Sequence, residues 1–91
     1  MTMEFEYDPA KSRSNKEKHG MDFEEAKELW TGNFVQTPLR VVAGETRVRV
    51  IGKVNGVFWS AIITMRGKAV RIISARRARD EEKEKYQDYF R

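Results

Sequence analysis

The chain contains no cysteine, which excludes disulfide staples and thiolate metal sites. It has one histidine, His19, so a histidine-built metal centre is excluded as well. The carboxylates fall mainly on helix surfaces or near helix starts. Capping and solvation explain Glu24, Glu25 and Glu28 more simply than a magnesium site does. Glycine loops that cradle nucleotides are absent, and no serine has the setting of a nucleophile elbow. No apolar run approaches the roughly 20 residues of a spanning helix. Met1-Thr2-Met3-Glu4 lacks a signal-peptide pattern, so a soluble cytoplasmic protein is expected, with no cofactor.

Acid is also missing from one long stretch. From Thr46 to Arg79 there are nine Lys/Arg residues and no Asp or Glu, while the rest of the chain sets nine Lys/Arg against all 14 carboxylates. The net charge is +4. A basic body between acidic segments favours an anionic partner, nucleic acid being the commonest. A solvated basic face is the alternative, but nine uncompensated cations exceed what solubility requires.

What is present reads as one α+β domain spanning residues 1–91. Met3 to Tyr7 alternates as a short edge strand. Asp8-Pro9 is an N-cap followed by a proline at the first helical position, and the helix runs to His19 with Gly20 closing it. Its face is poorly apolar, with Ala10 the only clear core contact. Asp22 and Glu25 form a capping box for a second helix, whose Phe23, Ala26, Leu29 and Trp30 make an apolar stripe. A meander follows: a strand from Phe34 to Val42, bent or at an edge because of Pro38, then Glu45 to Val54, Val57 to Met65 and Ala69 to Ser74. Asn55-Gly56 is the strongest hairpin signal. A last helix starts near Asp80. The sheet is expected to be antiparallel, with about four strands.

The residues on offer suit metal-free phosphodiester chemistry on RNA, where the 2′-hydroxyl attacks its own phosphate and the protein supplies a base, an acid and cations. Arginine fits the last role, since its planar fork binds phosphate and stays charged. Arg71 stands in an otherwise apolar strand and needs a partner. Arg76 and Arg77 point to opposite sides, one toward a functional face. Arg47 and Arg49 either line that face or are solvated. His19 has a suitable pKa class, but a cation in the last turn of a helix also caps it. Tyr86 packs, with its hydroxyl within reach of phosphate or arginine.

Three stretches resemble a known family. They are Phe5-Glu6-Tyr7-Asp8-Pro9-Ala10-Lys11 with Asn15, Lys18-His19-Gly20 and Phe23-Glu24-Glu25-Ala26; Gly44-Glu45-Thr46-Arg47 with Ile51-Gly52; and Arg66-Gly67 with Arg71-Ile72-Ile73-Ser74-Ala75-Arg76-Arg77-Ala78, Glu82 and Tyr86. Together they resemble the BrnT toxins of bacterial type II toxin–antitoxin systems. Tyr7 replaces the usual tryptophan, Trp30-Thr31-Gly32 a different helix exit, and Arg79 a capping Ser or Thr. The resemblance implies a RelE-like fold and a ribonuclease that inhibits translation. It also implies a BrnA-like ribbon-helix-helix antitoxin as partner, in a homodimer or toxin–antitoxin heterotetramer. On that footing His19, Glu45, Arg47, Arg71, Arg76 and Tyr86 are the candidate catalytic residues, and Lys18, Arg49, Arg77 and Arg79 the candidate RNA contacts. A non-catalytic basic module binding nucleic acid or protein is the alternative.

Overall fold

A computed structural model describes residues 3–91; the reading of Met1 and Thr2 falls outside them. The chain runs through β1 (Glu4–Glu6), α1 (Pro9–His19), α2 (Phe23–Ala26) continuing as a 3-10 turn (Lys27–Trp30), β2 (Phe34–Val42), β3 (Glu45–Val54), β4 (Val57–Arg66), β5 (Ala69–Arg77) and α3 (Asp80–Tyr89). Asp8 caps α1 by accepting from the N–H groups of Ala10 and Lys11, and Gly20 ends it at φ 85°. Asp22 and Glu25 form the expected reciprocal box. Among the described residues no helix is long and apolar enough to cross a membrane.

The fold is α+β, but the sheet differs from expectation. It has five strands in the order β1-β5-β4-β3-β2, and it is mixed, because β1 pairs with β5 in parallel through Glu4↔Ala69, Phe5↔Val70 and Glu6↔Arg71. Three residues offer too little pattern to announce that distant partner. The remaining pairings are antiparallel. As expected, β1 and β2 form the edges and the nearly continuous apolar β4 the centre.

One face of the sheet carries Val50, Ala61, Ile63, Val70, Ile72 and Ala75, packed against Met21, Phe23, Ala26 and Leu29 of the α2 segment. Helix α1 is joined to this core by polar atoms. Ala10 is exposed and makes no core contact, contrary to expectation; Ser12 and Asn15 are the buried residues. Ser12 Oγ accepts from Phe23 N at 2.8 Å. Asn15 Nδ2 donates to the carbonyls of Met21 and Ala75, both at 2.7 Å, while its Oδ1 accepts from Ala75 N at 3.3 Å. The carboxamide thus does for Ala75 what a further strand would do. A mid-helix asparagine stitches the helix to the sheet.

On the opposite face α3 covers only one end, contacting β2 and β3. The rest of that face is open, and it carries Arg40, Arg47, Arg66 and Arg71.

Candidate active site

Turn geometry and two bulges, one in β2 between Pro38 and Arg40 and one in β5, decide which side chains share the open face. Two-residue turns fix β3 against β4 and β4 against β5, so that Arg47 pairs with Thr64 and Thr64 with Arg71. Arg40 and Glu6 extend this row at its two ends. In a regular strand, residues an odd number apart face opposite ways, so Arg71 and Arg76 should diverge. They do not, because the β4–β5 register shifts between Ile62 and Ile63 and leaves Ile73 without a partner. This bulge keeps Ile72 and Ala75 in the core and turns both Arg71 and Arg76 to the open face. Arg77 goes the other way, its guanidinium 5.8 Å from the centre of the Trp59 ring.

Two cationic sites result. The first is a cleft of about 120 Å³ lined by Asp8, Lys11, Glu45, Arg47, Thr64, Arg66, Arg71, Ile72 and Ile73. It carries four cations and two carboxylates. Both carboxylates are engaged: Asp8 caps α1, and Glu45 Oε2 meets Arg66 Nε at 3.2 Å. Arg71 Nη1 lies 3.8 Å from Glu6 Oε1. Arg47 makes no ion pair with any described residue, and its buried Nε has no hydrogen-bond partner. An arginine without an ion-pair partner beside a second arginine is a setting that an anionic group would neutralise.

The second site is already filled by the protein. Arg76 holds Glu82 through two bonds, at 2.8 and 2.9 Å, and Arg49 Nη1 meets the same carboxylate at 3.0 Å. Arg49 also donates to Ser60 Oγ at 2.6 Å. Glu82 Oε1 accepts from Arg79 N at 2.8 Å; an arginine side chain has no acceptor to complete a capping box, so Glu82 caps α3 from one side only. Burial pushes the Glu82 carboxyl up, but Arg76, the Arg79 N–H and the Arg49 charge outweigh it and hold the group at about 2. Burial lowers the Arg49 pKa against the pull of Glu82, with Arg76 and Arg79 adding to the decrease. The guanidinium remains charged throughout.

The residues singled out in the sequence therefore separate. Glu45, Arg47 and Arg71 meet in the cleft. Arg49 and Arg76 sit on the same face, bound to Glu82. Lys18 and His19 are exposed at the end of α1 and line a furrow beside β5. Tyr86 packs edge-on against Phe58, ring centres 5.1 Å apart, and has no place in the cleft. Arg77, beside Trp59 on the other side, and Arg79, at the start of α3, are exposed. Sequence reading passed over Asp8, Lys11, Thr64 and Arg66. The signal for two of them was available: a two-residue turn at Asn55-Gly56 pairs Arg47 with position 64, and two rungs' worth of counting sets Glu45 opposite Arg66.

Among the described residues no group of three or more His, Asp or Glu side chains is arranged to hold a metal. No curated protein matches the chain. A family model does, over residues 7–82, and its description is ribonuclease toxin, BrnT, of type II toxin-antitoxin system. The match takes in both arginine sites and Glu82, while Tyr86 lies beyond it. Covering most of the chain, it settles the kinship: this protein belongs to the BrnT family, the ribonuclease toxins of type II toxin–antitoxin systems.

Proposed function

We propose that the chain is a metal-independent endoribonuclease that inhibits translation by cutting RNA. The observation that carries this reading is the cleft where Arg47, with no carboxylate partner among the described residues, and Arg71 flank Thr64 beside Glu45. A scissile phosphate placed between the two guanidiniums has the charge of its pentacoordinate transition state offset by fixed donors. Glu45, oriented by Arg66, takes the proton from the 2′-hydroxyl. The oxygen of that hydroxyl bonds to phosphorus as the bond to the 5′-oxygen breaks, leaving a 2′,3′-cyclic phosphate, and the departing oxygen acquires a proton. His19 lines the neighbouring furrow and stands outside this step, so the departing oxygen is protonated by water. Arg79 and Lys18 extend the cationic surface for the RNA backbone; Arg49 and Arg76, held by Glu82, and Tyr86, against Phe58, steady α3 beside it, while Arg77 faces away beside Trp59. The positive charge that other nucleases take from a metal comes here from arginine.

The toxin acts in the cytoplasm on this reading, shares RelE-like architecture, and is neutralised by a BrnA-like ribbon-helix-helix antitoxin covering the open face. The test is cleavage of RNA by purified protein in EDTA. Arg47→Lys and Arg71→Lys keep the charge but lose the fork, so each is expected to slow cleavage by about 10²-fold or more. Their melting temperatures should stay near that of the parent. Full activity in both variants sinks the role assignment. Tight RNA binding without any cleavage favours a non-catalytic binding module instead.

A further inference from the structure

The cleft does not end at Arg71. Lys11 and Ile73 line it on one side, and on the other they line a second furrow of about 340 Å³ with Ser14, Lys18, His19 and Ser74. The two hollows adjoin across Lys11 and Ile73, and their line bends where Ile73 bulges out of β5. Lys11 and Lys18 are seven residues apart on α1, which puts them on one helix face at about 10 Å along the axis. Neither lysine forms an ion pair with any described residue. Lys16, on another side of the helix, is held by Glu25 at 2.7 Å. The furrow's own lining contains no carboxylate, and the serine hydroxyls and His19 offer further polar contacts. Half-buried Ile73 gives the bend an apolar surface that suits a ribose or base edge.

Resting on the ribonuclease reading above, we propose that α1 and β5 together form a second RNA subsite, in which Lys11 and Lys18 hold phosphodiesters flanking the one at Arg47 and Arg71. The substrate is then a single strand several nucleotides long, because a duplex would not follow a bent furrow at a sheet edge. Lys11 stands at the joint and is the residue that links the subsite to the chemistry.

The experiment measures binding of a non-cleavable, 2′-O-methylated single-stranded RNA as a function of salt. Each lysine that contacts a phosphate contributes about 0.7 to the slope of log K against log salt. The double variant Lys11→Gln/Lys18→Gln is expected to lower that slope by about 1.4 relative to the parent. Lys16→Gln, also exposed on the same helix but facing another way, should leave it unchanged. In cleavage assays Lys18→Gln, which lies outside the cleft, should raise KM for a long strand several-fold with little change in kcat, and treat a dinucleotide as the parent does. An unaltered slope in the double variant, with the parent binding RNA normally, overturns the subsite alone, as does an equal decrease in Lys16→Gln. A parent that binds no RNA overturns the ribonuclease reading and the subsite together.

Discussion

Glu82 shows how one side chain can set the behaviour of several others. Its carboxylate is almost fully buried and serves Arg49, Arg76 and the Arg79 N–H together. Removing one member of such a group leaves the others charged and unpaired, which costs far more than losing a surface pair. Glu82→Gln is expected to destabilise the protein by roughly 3 kcal/mol, measured by urea unfolding at neutral pH. The pH dependence follows from the same geometry. The folded pKa lies at about 2 against an ordinary 4.5, so the carboxylate's contribution is fully present above the unfolded value. It is lost as pH falls through the folded one. Between roughly pH 4.5 and 2 the parent should lose about 3 kcal/mol that the variant does not lose. Parallel stability curves for the two proteins over that window would refute the account.

Helix α1 makes the same point for an element. Its sequence is polar all round, and such helices are usually held by surface pairs or not at all. Here Asn15 supplies two donors and one acceptor to backbone groups that would otherwise be buried and empty. Asn15→Ala should cost about 2–4 kcal/mol, and Asn15→Asp no less, since a carboxylate cannot donate to the Met21 and Ala75 carbonyls. Hydrogen exchange would show lost protection at the Ala75 amide in both; unchanged protection would refute the latch. Elements whose signals are local were legible in the sequence. Asp8-Pro9 and Gly20 bounded α1, the Asp22–Glu25 box opened α2, and Asn55-Gly56 placed the hairpin. The cleft was legible in part, because Glu45, Arg47 and Arg71 stand in strands of clear period. What stayed hidden depends on long-range partners: the parallel pairing of β1, the burial of Asn15, and the bulge at Ile73 that turns Arg76 to the face of Arg71. A register shift leaves no mark in a run such as Arg71-Ile72-Ile73-Ser74, where either phase has an apolar residue to bury.

At the scale of the whole molecule, charge is sorted by side. The open face of the sheet presents Arg40, Arg47, Arg66 and Arg71, whereas Asp22, Glu24, Glu25 and Glu28 rim a groove on the side of α2. An approaching polyanion is drawn to one side and repelled from the other, which orients encounter before contact is made. The parallel pair of β1 and β5 adds a consequence in time. Its residues lie some 65 positions apart, while β2 to β5 form a meander of short loops, so closing the first pair carries the larger entropy cost. The meander should therefore form first and β1 dock last, with the β1 amide that faces β5 gaining protection after those of Val50 and Ala61 in pulse labelling. Simultaneous protection would contradict that order. During synthesis the order is stricter still: Asp8 and Lys11 emerge early but meet Arg71 only once β5 has cleared the ribosome. The cleft is thus assembled from segments far apart in the chain, and a copy that still lacks β5 has no cleft.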